Sequence, residues 1–271
     1  MDLHTVQTYR FARSRAELAL VPGERIVAGG TWMFSEPQLD VTGLVDISEM
    51  GWPAIEDLDD DGLRAAATCT IAELAAMPPR PGLRAHPLFA QCADALLASF
   101  KVATMATVGG NVCRSYAAAA MVSLAVGLDA TAHLWRADGT DRDVLVADLI
   151  TGNGSNALRP GEVLRAIDFP GGPLRSRTAF RKLALAELGR SGTVVTGRVD
   201  EDGSVTLGIT AATATPTVLR YPTLPHRHRL HDDVVAAPGY YSDPLGAADW
   251  RRATTATLAE EIRTELSGAI R

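Results

Sequence analysis

Lysine is nearly missing from this chain. Lys101 and Lys182 are the only two in 271 residues, and every other basic side chain is arginine. No G-x-x-x-x-G-K-[ST] segment occurs, which excludes a P-loop nucleotide site. Cysteine is scarce too. Cys69, Cys92 and Cys113 are odd in number, scattered, and never spaced C-x-x-C. That excludes a disulfide framework and leaves no iron–sulfur or zinc ligand set within the chain. No apolar run approaches the ~20 residues that cross a bilayer; the longest candidate, AAAAMVSLAVGL (117–128), is short and rich in alanine. The opening MDLHTVQTYRF lacks the basic and apolar regions of a signal peptide, so a cytoplasmic protein with no membrane insertion is expected. There is no G-x-S-x-G elbow and no carboxylate pair in a glycosidase-like context. The formal charge of −6 disfavours nucleic acid as a partner.

What remains has the composition of a globular protein, 46% hydrophobic and 21% charged, with room for one large domain or two ordinary ones. SRAELALV (14–21) predicts a short helix behind a Ser cap. RIVAGG (25–30) predicts a strand running into a glycine turn, and GLVDIS (43–48) another strand. Hairpins are expected around Asp61-Gly62 and Asp138-Gly139. Helical spacing covers 70–77, stopped by Pro78-Pro79, and 86–100. YAAAAMVSLAVGL (116–128) carries no charge on any face and predicts a buried helix. Glycine and proline then cluster over 152–175, and Pro170 to Pro173 is the natural domain boundary. Beyond it, 177–186, 192–199 and 204–212 predict three strands, and 249–270 an amphipathic helix. Strands followed by helices suggest a small α+β domain.

Two apparent motifs carry little. GNGSNA (152–157) matches G-x-G-x-x-A, but LRPGE follows it and no helix opens there, so a surface loop is expected. HRHRLH (226–231) holds three histidines among arginines, after Pro225. A solvated loop is expected rather than a metal site, because neighbouring cations oppose a divalent ion.

AGGT (28–31) and TVGGN (107–111) are more informative. Either Gly-Gly pair alone could be an ordinary turn. Glycine, having no Cβ, lets main-chain N–H groups approach an anion, and successive amides form a phosphate-holding nest without lysine. Two nests could grip a pyrophosphate between them, with Thr31, Thr107 and Asn111 adding uncharged donors.

These segments carry a resemblance. VAGGT, LVDIS, GLRAAATCTIAEL and TVGGN, followed by RPGEVLRAIDFP (159–170), AFRKL (179–183) and YYSDPLGAADWRR (240–252), resemble the FAD-binding medium subunit of the molybdenum hydroxylases. That family includes the flavin subunit of carbon monoxide dehydrogenase and the flavin domain of xanthine dehydrogenase. The resemblance implies an α+β, p-cresol methylhydroxylase-type FAD-binding domain over 1–170, with lobes of about 1–53 and 54–170. A C-terminal α+β domain over 174–271 would pack a three-stranded antiparallel sheet against helices. FAD contacts are implied at Val27, Ala28, Gly29, Gly30, Thr31, Trp32 and Met33, and at Thr107, Val108, Gly109, Gly110 and Asn111. Leu164 and Lys182 stand where family members contact the flavin or its ring surroundings. The sequence departs from the family in three places. KVATMAT (101–107) precedes the second Gly-Gly, Trp32 follows AGGT, and Ala120 replaces an aspartate that often contacts the cofactor.

The implied function is an electron relay. A molybdopterin-binding large subunit would oxidise the substrate, a small subunit would carry two [2Fe–2S] clusters, and this chain would pass electrons through FAD to an external acceptor. No catalytic acid–base residue is then needed here. The rival readings are a stand-alone FAD oxidoreductase of the same fold and an assembly module with weak flavin binding.

Overall fold

The computed structural model describes residues 3–268. The expected helical residues Ala269 and Ile270 lie outside them. Strands β1 (Thr8–Phe11), β2 (Glu24–Val27) and β3 (Gly43–Asp46) form a parallel sheet in the order β1-β3-β2. The middle strand GLVD is buried along its whole length, which suits the apolar Leu44-Val45, and its Asp46 accepts from the Tyr9 hydroxyl. The helix expected over 14–21 shrinks to one 3₁₀ turn, Arg15–Leu18, and Ser14 makes no side-chain capping bond.

A second sheet is antiparallel. It contains β4 (Ile55–Asp57), β5 (Leu63–Ala66), β6 (Thr131–Arg136), β7 (Asp141–Leu145) and, at its centre, the longest strand of the chain. Both expected hairpins form. Asp61 (φ 59°) and Gly139 (φ 93°) adopt the left-handed conformations that their turns require. Helix α1 (Ile71–Ala75) opens on a capping box, in which Thr70 accepts from the Glu73 amide and Glu73 accepts in return. Helices α2 (His86–Ala95), α3 (Phe100–Ala103), α4 (Val108–Arg114), α5 (Ala120–Gly127) and α6 (Val146–Leu149) complete this layer; all but α3, which buries no residue, share one core with the sheet.

The stretch 152–175 is more ordered than its Gly and Pro content suggests. GNGSNA lies across a tight hairpin of β8 (Ile150–Gly152) and β9 (Ser155–Asn156), turning at Gly154 (φ 88°). The surface-loop reading is therefore corrected. The Gly154 amide donates to the Ser115 carbonyl (2.7 Å), and Asn153 Oδ1 accepts from the Ala117 amide (3.0 Å). The hairpin braces the chain between α4 and α5. The central strand of the second sheet, β10 (Glu162–Phe169), follows it.

After α7 (Gly171–Arg175), the expected strands appear as β11 (Arg177–Leu183), β12 (Thr193–Val199) and β13 (Val205–Thr210). A fourth strand, β14 (Thr217–Tyr221), extends the antiparallel sheet. Its sequence, TVLRY, is half-exposed and short, so it carries little pattern. HRHRLH is not a loop. His226 is the N-cap of α8 (Arg227–Ala236), which buries Leu230 and Val234 and leaves the histidines toward solvent. The tail forms α9 (Ala248–Gly268).

Both faces of this third sheet are covered. A methyl at Gly197 would meet Ile262 of α9, and one at Gly208 would meet Val126 of α5. Every residue of β12 and β13 is buried as a result. Helix α5 is buried on all sides for the same reason: one flank joins the second sheet's core, and the other lies on the third sheet. Two polar ties cross that contact, Ser123 Oγ to Thr210 Oγ1 (2.6 Å) and the Arg198 guanidinium to the Gly127 carbonyl (3.0 Å).

Candidate functional site

A cleft of about 760 Å³ opens where the three sheets' loops converge, a size typical of a small-molecule site. Its first wall is Val27, Ala28, Gly29, Gly30, Thr31, Trp32 and Met33, leaving the end of β2. The second is Leu96 to Ser99 with one face of α4. The third comes from far along the chain: Arg190, Ser191, Tyr241 and Asp243 to Leu245.

The second wall has a helical rationale. Thr107, Gly110, Asn111 and Arg114 all line the cleft, a spacing of three, one and three that keeps them on one helix face. TVGGN is therefore not a turn. Thr107 caps α4, its Oγ1 accepting from the Gly110 amide at 3.0 Å.

The four glycines have different jobs. At Gly29 a Cβ would sit 1.5 Å from the Met105 carbonyl oxygen, so this glycine lets the first wall touch the backbone leading into α4. Gly30 has φ +67° and lies against the Phe34 ring. Gly109 packs on Ala67, where a Cβ would come within 2.5 Å. Gly110 alone lies open to the cleft; a methyl there would meet only Thr107 Oγ1, at 3.0 Å.

The amides correct the expectation of two matching nests. In the second motif the four N–H groups from Val108 to Asn111 are spent inside the fold. Val108 donates to Cys69, Gly109 to Ala67, Gly110 to Thr107 Oγ1 and Asn111 to the Thr107 carbonyl. In the first motif the N–H groups of Gly29, Gly30, Thr31, Trp32 and Met33 donate to no acceptor among the described residues. Five successive free donors along one wall suit a multiply charged anion. Across the cleft, Asn111 Oδ1 accepts from the Met121 amide (2.9 Å), capping α5 and leaving its NH₂ group available.

Charge agrees with the donors. The one carboxylate in the lining, Asp243, is paired to Arg251. Arg114 and Arg190 also line the cleft, and among the described residues neither has a carboxylate partner. The Arg114 guanidinium lies 4.1 Å from the Trp32 ring and 3.9 Å from the Tyr116 ring. Tyr116 Oη accepts from both Trp32 Nε1 (3.1 Å) and Arg114 Nη2 (2.5 Å).

Arg251, on α9, sets the third wall. It is fully buried and stacks on Tyr241 at 4.3 Å. Its donors go to the carbonyls of Gly246 (3.1 Å), Gly192 (2.5 Å) and Ala211 (2.6 Å) and to Asp243. Cys113 reaches the cleft as well, but burial pushes its thiol up to about 12, so it is protonated at neutral pH.

Ten of the fourteen residues singled out in the sequence meet in this cleft. Val108 and Gly109 are buried behind it. Leu164 is a core residue of β10 opposite Leu134, and Lys182 is a half-buried residue of β11 opposite Val194; neither lines the cleft. Ala120 is buried at the start of α5. Sequence reasoning missed Arg114, Tyr116 and the entire third wall. Arg114 had a signal, the helical spacing from Thr107 through Gly110. In the third wall, Tyr241 and Asp243 to Leu245 fall in the segment YYSDPLGAADWRR that carried the resemblance, whereas Arg190 and Ser191 had no signal.

A family model described as the FAD binding domain in molybdopterin dehydrogenase matches residues 7–172. Among solved structures, quinoline 2-oxidoreductase from Pseudomonas putida 86 aligns with a TM-score of 0.81 at 20% identity, covering 97% of this chain and 98% of that one. A Cu,Mo-CO dehydrogenase in its cyanide-inactivated form gives 0.81 at 22% identity, covering 96% and 99%. The reconstituted CO dehydrogenase from Oligotropha carboxidovorans gives 0.79 at 24%, covering 94% and 97%. At these identities the likeness is one of fold. No curated protein matches by sequence.

Proposed function

This chain belongs to the family of FAD binding domains of molybdopterin dehydrogenases, and from that premise we propose that it is the flavoprotein subunit of a molybdenum hydroxylase. It is an oxidoreductase whose cofactor is FAD. Bound FAD supplies a redox centre that takes up one or two electrons. The reading gives this chain the relay from a partner's [2Fe–2S] clusters to an external acceptor, and gives substrate oxidation to a molybdopterin-binding large subunit. Among the described residues no helix is long and apolar enough to cross a membrane.

The run of five free amides from Gly29 to Met33 carries the reading. These donors, the bare backbone at Gly110 and the Asn111 amide would hold a diphosphate without lysine. The cleft volume of about 760 Å³ suits an extended dinucleotide. The reading also divides the chain into an FAD-binding domain, 1–170, and a C-terminal domain, 174–271. The latter would close the cleft with Arg190, Ser191 and the segment around Tyr241.

The test is to purify the chain from its native source. One acid-releasable FAD per chain, with molybdenum and [2Fe–2S] subunits co-purifying, is the expected result. A colourless protein that takes up no added FAD would end the proposal. Flavin bleaching by a small substrate with no partner present would replace the relay with a stand-alone oxidoreductase.

A further inference from the structure

The cleft is lopsided, with free amides on the first wall and spent amides on the second. Something else must meet an anion from the α4 side. We propose that Arg114 supplies it: its guanidinium is the cation that faces the cofactor's diphosphate, held as a flat plate between the rings of Trp32 and Tyr116. The inference rests on the reading of this cleft as the FAD site.

Three observations converge on Arg114. It lines the cleft one helical turn beyond Gly110, on the same face, so its head flanks the one patch of bare backbone on that wall. Among the described residues it has no carboxylate partner, and its Nε is buried without an acceptor. Holding an unpaired, partly desolvated cation costs stability, and the described residues offer it no compensating anion. The geometry is also over-determined. The Trp32 and Tyr116 ring centroids lie 4.1 Å and 3.9 Å from the Arg114 Cζ, and the Tyr116 hydroxyl, already accepting from Trp32, accepts from Nη2 as well. Trp32 and Tyr116 are positioning residues. They restrict the guanidinium to the cleft and leave its Nη1 donors free.

The test uses the full-length apoprotein, titrated with FAD by flavin fluorescence at low and high KCl, for the parent, R114M and R114K. R114M should bind FAD roughly tenfold or more weakly at low salt. Its affinity should fall less with added salt than the parent's, because one charge contact is gone. R114K should recover the salt dependence and part of the affinity, lacking the planar stack. Melting curves of the three apoproteins should coincide within a few degrees. An R114M affinity within about twofold of the parent would overturn the proposal. So would a weakening that keeps the parent's full salt dependence, which would mark a loosened fold. A parent that binds no FAD would remove the reading of the site and this inference together, whereas a parent that binds FAD beside an unaffected R114M would remove only the inference.

Discussion

The α-carbon of Gly29 lies against the carbonyl of Met105, so close that a methyl would sit 1.5 Å from the oxygen. Seventy-six positions separate the two residues in sequence, yet this contact joins the first two walls of the cleft. Gly110, opposite, has no such neighbour.

The two glycines should therefore respond differently to the same added methyl. Gly29→Ala must push the walls apart, and should cost roughly 1–3 kcal/mol of stability together with FAD binding. Gly110→Ala lies in a helix and needs only a small shift of the Thr107 hydroxyl. Its apoprotein should be as stable as the parent or up to about 1 kcal/mol more so, while FAD binding weakens. Denaturant unfolding of the apoproteins, alongside FAD titration, separates the two outcomes. A destabilised Gly110→Ala with normal FAD affinity would contradict this account of the wall.

Arg251 holds the third wall from behind without lining the cleft. Arg251→Leu strands the carbonyls of Gly192 and Ala211, leaves Gly246 with only the Asp243 amide, and removes the cation paired with Asp243. The expected loss is on the order of 3 kcal/mol. Proteolysis should then cut first near 190 or 241–246. A variant with parental unfolding and no new cleavage would refute the role.

Acid should weaken the fold through Glu162 on β10. The Arg142 guanidinium binds its carboxylate at 2.9 and 2.7 Å, and the Arg159 amide adds a bond at 2.8 Å. The pair with Arg142, acting first and against the effect of burial, holds the Glu162 carboxyl below the usual carboxylate range. A depressed carboxyl stabilises the fold above its unfolded pKa of about 4.3, and that contribution is lost as pH falls through the folded value. Melting of Glu162→Gln should start lower at neutral pH and drop less on acidification than the parent's. Parallel pH profiles for the two proteins would show that the pair does not contribute.

Much of the fold follows from local chemistry in the sequence. The strand into AGGT, both Asp-Gly hairpins, the uncharged helix before residue 128 and the strands after 177 need only periodicity and turn residues. So does the existence of two glycine segments. Other features depended on long-range contacts. Whether a Gly-Gly pair is a turn or the first turn of a helix depends on Thr107 capping α4 and on the carbonyls of Cys69 and Ala67 receiving its amides. GNGSNA and the strand β10 are ordered by partners found elsewhere in the chain.

By itself, then, the sequence determined which backbone could approach an anion, because a missing Cβ is a local property of glycine. The tertiary structure alone decided which of those amides stay free. Hydrogen-bond satisfaction depends on acceptors brought in from distant segments, as does the wall built from residues near 190 and 240. The same packing turned Arg114, one arginine among many in the chain, into an unpaired cation beside the cleft.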